Sequence, residues 1–165
     1  MHTEALSFVA DARAELDFTP KVVVEIGSRN VNGTIRGLFA GAAFTGVDIE
    51  PGEGVDVVAS GAVYVHPTPV DVVVCTEVFE HTPDAKEIVA RAADMLRPGG
   101  VFIATMAATG RFPHSAVDGG ELRPDEFYRN VNKYELTDWL DAAGFTEWYI
   151  DLHDVAADIR TVAIK

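Results

Sequence analysis

Short β-branched runs alternate with helical patterns along most of the chain. Residues 3–17 place Ala5, Phe8, Val9, Ala12 and Leu16 at helical spacing, and Pro20 stops the pattern, so positions 1–19 are expected to carry an N-terminal helix. Residues 21–26, Lys-Val-Val-Val-Glu-Ile, form a continuous apolar run of the kind found in strands covered on both faces. A short helix at 34–40 and strands at 44–49 and 55–59 follow. Residues 71–76, Asp-Val-Val-Val-Cys-Thr, predict a fourth strand, and 84–96 a clearly amphipathic helix stopped by Leu96-Arg97-Pro98-Gly99-Gly100. A fifth strand is expected at 101–105 and a helix at 133–143, closed by Gly144. Strands at 145–152 and 159–164, joined by a short turn-like segment, are expected to be antiparallel to each other.

This order predicts the α/β class: one domain over residues 1–165 with a Rossmann-like, doubly wound, mostly parallel seven-stranded sheet. Helices should lie on both faces, and the last strand should be antiparallel. Residues 106–131 have no strong period and hold several glycines and prolines. A loop of that length in a compact domain is usually functional, which makes it the expected substrate cap.

Charge then narrows the partners. Thirteen Lys and Arg against 26 Asp and Glu give a formal net charge of −13. Such a surface repels phosphate backbones and anionic lipids, because non-specific affinity for both comes from Lys and Arg. A nucleic-acid substrate is therefore disfavoured and a small-molecule substrate favoured. The one cysteine, Cys75, excludes an internal disulfide framework and a multi-cysteine zinc site, and suits a reducing, cytoplasmic compartment. No apolar run reaches the roughly 18 residues of a membrane span.

The candidate chemistry gathers at strand ends. The first strand runs into Glu25-Ile26-Gly27-Ser28-Arg29-Asn30-Val31-Asn32-Gly33. Ligands of open α/β sheets bind beyond such carboxyl ends, and Gly27 permits close backbone approach. The turn lacks the Gly-x-Gly-x-x-Gly spacing of a dinucleotide fingerprint, so a nicotinamide dehydrogenase is a weak reading. The second strand ends at Asp48, among apolar neighbours, where a carboxylate can accept both hydroxyls of a ribose. The fourth ends Cys75-Thr76-Glu77-Val78-Phe79-Glu80-His81, bringing two acids and an imidazole to the same sheet edge.

From Val22 to Lys165 the chain resembles the class I methyltransferases. The resemblance rests on Glu25-x-Gly27, on Asp48, and on the ordered pair Glu77-Val78-Phe79-Glu80-His81-Thr82-Pro83-Asp84 and Leu96-Arg97-Pro98-Gly99-Gly100. It is similar above all to the branch with ubiquinone-biosynthesis O-methyltransferases. The resemblance implies S-adenosylmethionine as cofactor and S-adenosylhomocysteine as product. It places Glu25, Gly27 and Ser28 at the methionine portion, Asp48 on the ribose and Ile49 against adenine. Ser60, Gly61 and Ala62 would meet the adenine edge, Cys75, Thr76 and Glu77 would line the floor, and His81 would sit close to the cofactor. Two positions depart from the family: Arg29 and Val31 stand where it has glycines, and Ser60 where it often has an acid.

An oxygen acceptor must lose a proton, and His81 and His114 are the candidate bases, because imidazole changes charge near neutral pH. A histidine is more often structural, and that reading stands beside this one. Arg111, Arg123 and Arg129 suit an anionic substrate group, although surface ion pairs are the favoured reading for all three. Glu77, Glu80 and His81, with or without His114, offer ligands to a divalent cation, and the segment resembles the Glu-x-x-Glu-His metal site of methyltransferases acting on RNA 3′ ends. Against it, an acid at a helix start is favoured without any metal. Two further classes stand as alternatives: a metal-assisted nucleic-acid methyltransferase, and a catalytically silent cofactor-binding subunit that works through a partner.

Overall fold

A computed structural model of the chain describes residues 2–165; Met1, part of the expected N-terminal helical stretch, lies outside the described residues. Helix α1 spans Thr3–Ala14 and ends before the Asp17-Phe18-Thr19-Pro20 stretch that leads into β1, Val22–Ile26. Strand β2 is Ala43–Asp48, β3 is Val57–Val58, and β4 is Val70–Thr76. Helix α2, Ala85–Met95, runs straight into β5, Leu96–Ala107. Helix α3, Lys133–Ala142, is capped by the Asn132 side chain, which accepts from Tyr134 N–H. Strands β6, Glu147–His153, and β7, Asp158–Ile164, finish the chain.

The seven strands form one sheet in the order β3-β2-β1-β4-β5-β7-β6. Pairings from β3 to β5 are parallel, and β7 runs antiparallel to both β5 and β6. The chain winds outward in opposite directions from β1 and β4, so loops at their carboxyl ends diverge and leave a crevice there.

Strand β4 shows why both faces need cover. Val72 and Val74 pack with Val9 and Ala12 of α1 and with Phe39, whereas Val73 and Cys75 pack with Ile88, Val89 and Ala92 of α2 and Leu136 and Leu140 of α3. Alternate residues of one strand thus serve two apolar layers, which is what a continuous apolar run encodes.

The sequence expectations hold for element type and order, with three corrections. The helix expected at 34–40 is a single 3₁₀ turn, Arg36–Phe39, in a segment holding Gly33, Gly37 and Gly41, where helix propensity is low. The third strand shrinks to two residues at the sheet edge. The fifth extends to twelve residues, because Pro98-Gly99-Gly100 is carried within β5 as an irregularity: pairing shifts register between Val70 and Val72 of β4. Among the described residues, no helix is long and apolar enough to cross a membrane.

Candidate active site

A cavity of about 1310 Å³ opens over the carboxyl ends of β1, β2 and β4. One side is lined by Glu25, Gly27, Asp48, Ile49, Ser60 and Gly61, and the other by the cap segment around Arg111, Phe112 and His114. Thr76, Glu77 and His81 line it between the two. Of the residues expected to meet a cofactor, Ser28, Ala62 and Cys75 are outside the lining. Cys75 points into the apolar layer beneath α2, where burial pushes its thiol up. Ser28 is buried against Gly46, and a methyl group on Gly46 would come 2.7 Å from the Ser28 hydroxyl.

The turn after β1 takes its path from β2 and the loop that follows. Val47 O accepts from both Gly27 N–H at 2.8 Å and Ser28 N–H at 3.1 Å. Asp48 Oδ2 accepts from Arg29 N–H and Oδ1 from Glu50 N–H, each at 3.0 Å. Gly27 has φ 79°, and a Cβ there would lie 2.2 Å from Val78 Cγ2. Gly54, unremarked in the sequence, has φ 86°, and a Cβ on it would come 2.6 Å from Ser28 O. Arg29 and Val31 therefore stand where glycines were expected because the turn leans on loop 50–54 instead. Asp48 organises that turn and still has lone pairs for other donors, since a carboxylate offers about four acceptor sites.

Glu25 is 4% exposed at the cavity floor, and burial raises its carboxyl to about 7. Glu77 has a different setting. Its φ of 56°, uncommon for a residue with a side chain, turns it toward β5 and β7. Oε1 accepts from Thr105 Oγ1 at 2.8 Å; Oε2 lies 3.1 Å from His2 Nε2 and 3.7 Å from Arg111 Nη2. Burial alone would raise the Glu77 acid, but His2, Thr105 and Arg111 outweigh it and hold the group below its ordinary value. Asp158, fully buried, completes the cluster: Arg111 Nη1 donates to Oδ1 at 2.8 Å, and His2 Nε2 lies 3.0 Å from Oδ2. The His2 contacts lie off the hydrogen-bond line, so they act charge to charge. Asp158, then Glu77, raises the His2 imidazolium to about 10 against the effect of burial.

Sequence reasoning missed His2 and Asp158. Asp158 opens a strand instead of closing one, and Arg160 two residues on offers it a local counter-charge, so nothing in the sequence marked it as Asp48 was marked. Sequence reasoning also left the cap arginines open. Arg111 is spent on Asp158 and Glu77, Arg123 pairs with Asp118 at 2.8 Å, and Arg129 pairs with Glu135 at 2.9 Å. All three form ion pairs.

His81, His114 and Tyr128 meet as three edge-on rings. Centroids lie 4.9 Å apart for His81 and His114, 5.4 Å for His81 and Tyr128, and 5.1 Å for His114 and Tyr128. Burial, then the neighbouring His114, lowers His81 to about 4, so its imidazole is neutral at neutral pH. Glu80 lies fully buried behind them, and burial, then Glu77, pushes its acid well up. The four expected metal-ligand residues divide: Glu80, His81 and His114 cluster together, while Glu77 clusters with His2 and Asp158.

This fold has counterparts among known proteins. The model of the family described as Methyltransferase domain matches residues 1–150. The chain is 34% identical over 93 residues to the ubiquinone biosynthesis O-methyltransferase of Klebsiella pneumoniae (strain 342), across 52% of this chain and 38% of that protein. It is 30% identical over 128 residues to the enzyme of that name from Saccharophagus degradans, across 63% and 54%. These matches span about half or less of the relatives' length. Among solved structures, the Burkholderia thailandensis 1,6-didemethyltoxoflavin-N1-methyltransferase, bound to 1,6-didemethyltoxoflavin and S-adenosylhomocysteine, superposes with TM-score 0.66 at 18% identity. That alignment covers 99% of this chain and 77% of the other. An S-adenosylmethionine-dependent methyltransferase from Thermotoga maritima gives TM-score 0.62 at 18% identity, over 98% and 89%. The chain belongs to the methyltransferase domain family, within the class I, S-adenosylmethionine-dependent group.

Proposed function

We propose that the protein transfers the methyl group of S-adenosylmethionine to an oxygen of a small-molecule acceptor. The observation that carries this reading is the single cavity that joins the carboxyl ends of β1 and β2 to the cap histidines. Its lining suits the cofactor. The Glu25 carboxyl faces where a cationic group would lie, the spare lone pairs of Asp48 suit a diol, and Ile49, 69% exposed, offers an apolar face to a base.

Held by residues such as Glu25, Gly27 and Asp48, the cofactor would supply a methyl group already activated on a sulfonium, and the proton of the acceptor hydroxyl would pass to a neutral imidazole, His81 or His114. The protein's work is alignment and exclusion of water. His81 and His114 are the residues proposed at the acceptor, on the cap side of the cavity. The Arg111 pairs with Asp158 and Glu77 hold the cap down over β4 and β7. The acidic surface, and the ion pairs that occupy the cap arginines, support an uncharged or cationic small acceptor over nucleic acid.

Calorimetric titration of S-adenosylmethionine and S-adenosylhomocysteine, with NAD as control, tests the reading. Binding of the first two alone is expected, followed by mass-detected methylation in a panel of uncharged and amine-bearing phenols and alcohols. Absence of binding to folded protein would overturn it.

A further inference from the structure

The sheet has two edges, and they are built differently. At one end β3 is only two residues long, which leaves little backbone to pair with. At the other end β6 runs seven residues, and every one of them is in register with β7 without a bulge. Its outer side pairs with no other strand among the described residues. Natural edge strands are kept from pairing by short length, prolines, lysines or bulges. The strand Glu147-Trp148-Tyr149-Ile150-Asp151-Leu152-His153 has none of these devices. Tyr149 is 57% exposed and Leu152 46%, one on each face of the strand, so the edge shows apolar surface on both sides.

We infer that a second copy of this chain covers this edge, β6 pairing antiparallel with its counterpart about a two-fold axis through Ile150. In that register the strand is complementary to itself. Glu147 stands opposite His153 of the second copy, Trp148 opposite Leu152, and Tyr149 opposite Asp151, with the two Tyr149 rings diagonal neighbours across the axis. Glu147 is exposed and has no partner of its own among the described residues. It meets a donor: Ala156 N–H donates to His153 Nδ1 at 3.2 Å, so the ring proton sits on Nε2, where a carboxylate can accept it. Asp151 stands opposite Arg160 of β7, a cation on its own face of the sheet.

The neighbouring registers fail on the same residues. Opposed residues of an antiparallel ladder share a face, so the axis must pass through a residue. An axis through Tyr149 sets Glu147 against Asp151, and an axis through Asp151 sets that acid against its own copy. Like charges directly opposite are destabilising, and the axis through Ile150 avoids both clashes. Such a dimer joins two sheets into one. The axis reverses strand direction, so the two large cavities open at opposite edges, and no residue of β6 lines either of them.

Sedimentation equilibrium of the full chain tests the edge, at about 0.15 M salt, where repulsion between the acidic surfaces is screened beyond about 8 Å. A species of twice 17.8 kDa is expected to build up as concentration rises. Glu147→Arg and His153→Glu should each raise the dissociation constant by about tenfold, because each change acts at both ends of the ladder. The double variant exchanges the charges and should return the constant to near the wild-type value. Circular dichroism checks each fold; Glu147→Arg alters an exposed side chain and decides alone if losing the Ala156 bond unfolds His153→Glu. A monomer up to the highest soluble concentration would overturn the inference and leave the edge to a different chain. A dimer of unchanged strength in Glu147→Arg, or one that the folded double variant fails to restore, would overturn it as well, since the copies would then meet elsewhere.

Discussion

Arg111, in the segment that follows β5, and Asp158 at the head of β7 form a 2.8 Å ion pair in which the carboxylate is fully buried. This contact, with the 3.7 Å approach of Arg111 to Glu77, fastens the 106–131 segment to β7 and to the residue that follows β4. Removing one partner of a buried pair leaves an uncompensated charge. Arg111→Ala should therefore cost about 2–4 kcal/mol by urea denaturation, less than a fully orphaned acid because His2 remains beside Asp158. Arg111→Lys, which keeps the charge, should lose less.

His2 gives the protein a pH dependence of definite sign. Its imidazolium is raised from 6.5 to about 10 by Asp158 and Glu77. A group whose value rises on folding stabilises fully below its unfolded value, and that stabilisation fades as pH climbs through the folded one. His2→Gln should melt below wild type at neutral pH, and the two melting curves should converge above pH 10. A gap that stays constant across that window would contradict the pairing.

Glu25 should act in the opposite sense on binding and on stability. Its acid, raised by burial from 4.5 to about 7, becomes a carboxylate only as pH passes 7. S-adenosylmethionine affinity should strengthen across that pH, and Glu25→Gln should flatten the dependence. Folding stability should fall as pH rises from 4.5 through 7, because the unfolded chain ionises first, so Glu25→Gln should gain on wild type across that window and keep a constant lead above 7. Calorimetry and thermal melts at matched pH read the two effects.

Asp48→Ala should weaken S-adenosylmethionine binding by about 1–3 kcal/mol, the scale of hydrogen bonds to a charged group. It also removes the acceptors for Arg29 and Glu50 N–H. Asp48→Asn, which keeps one acceptor oxygen, should preserve more of the fold than of the affinity. Equal affinity in all three proteins by titration calorimetry would remove the ribose role.

Gly27→Ala tests the turn itself. The added methyl would meet Val78 Cγ2 at 2.2 Å in a backbone with φ 79°. Strain of this kind costs of the order of 1–3 kcal/mol. Both melting temperature and cofactor affinity should fall, and the double variant with Val78→Ala should recover only the steric part.

Much of the architecture was legible because burial leaves a periodic trace. The run Val-Asp-Val-Val-Val-Cys-Thr of β4, the amphipathic pattern of α2 and the order of strands and helices are properties of neighbours along the chain. The same holds in part for the chemistry at strand ends: Gly27 and Asp48 could be picked out because they close strand patterns, Glu25 and His81 because their motifs resemble those of the family, and all four line the cavity. Tertiary structure decided what those groups face. Only the folded chain brings His2, from one end, against Asp158, near the other, and turns Glu77 toward them while Glu80 is buried unpaired behind His81. It also places Cys75 in the core and Ser28 beneath Gly46, one residue from cavity-lining positions. Periodicity reports which face of an element is apolar, because that depends on local spacing. Whether a charge finds its counter-charge depends on contacts between distant segments, which no local pattern in the sequence records.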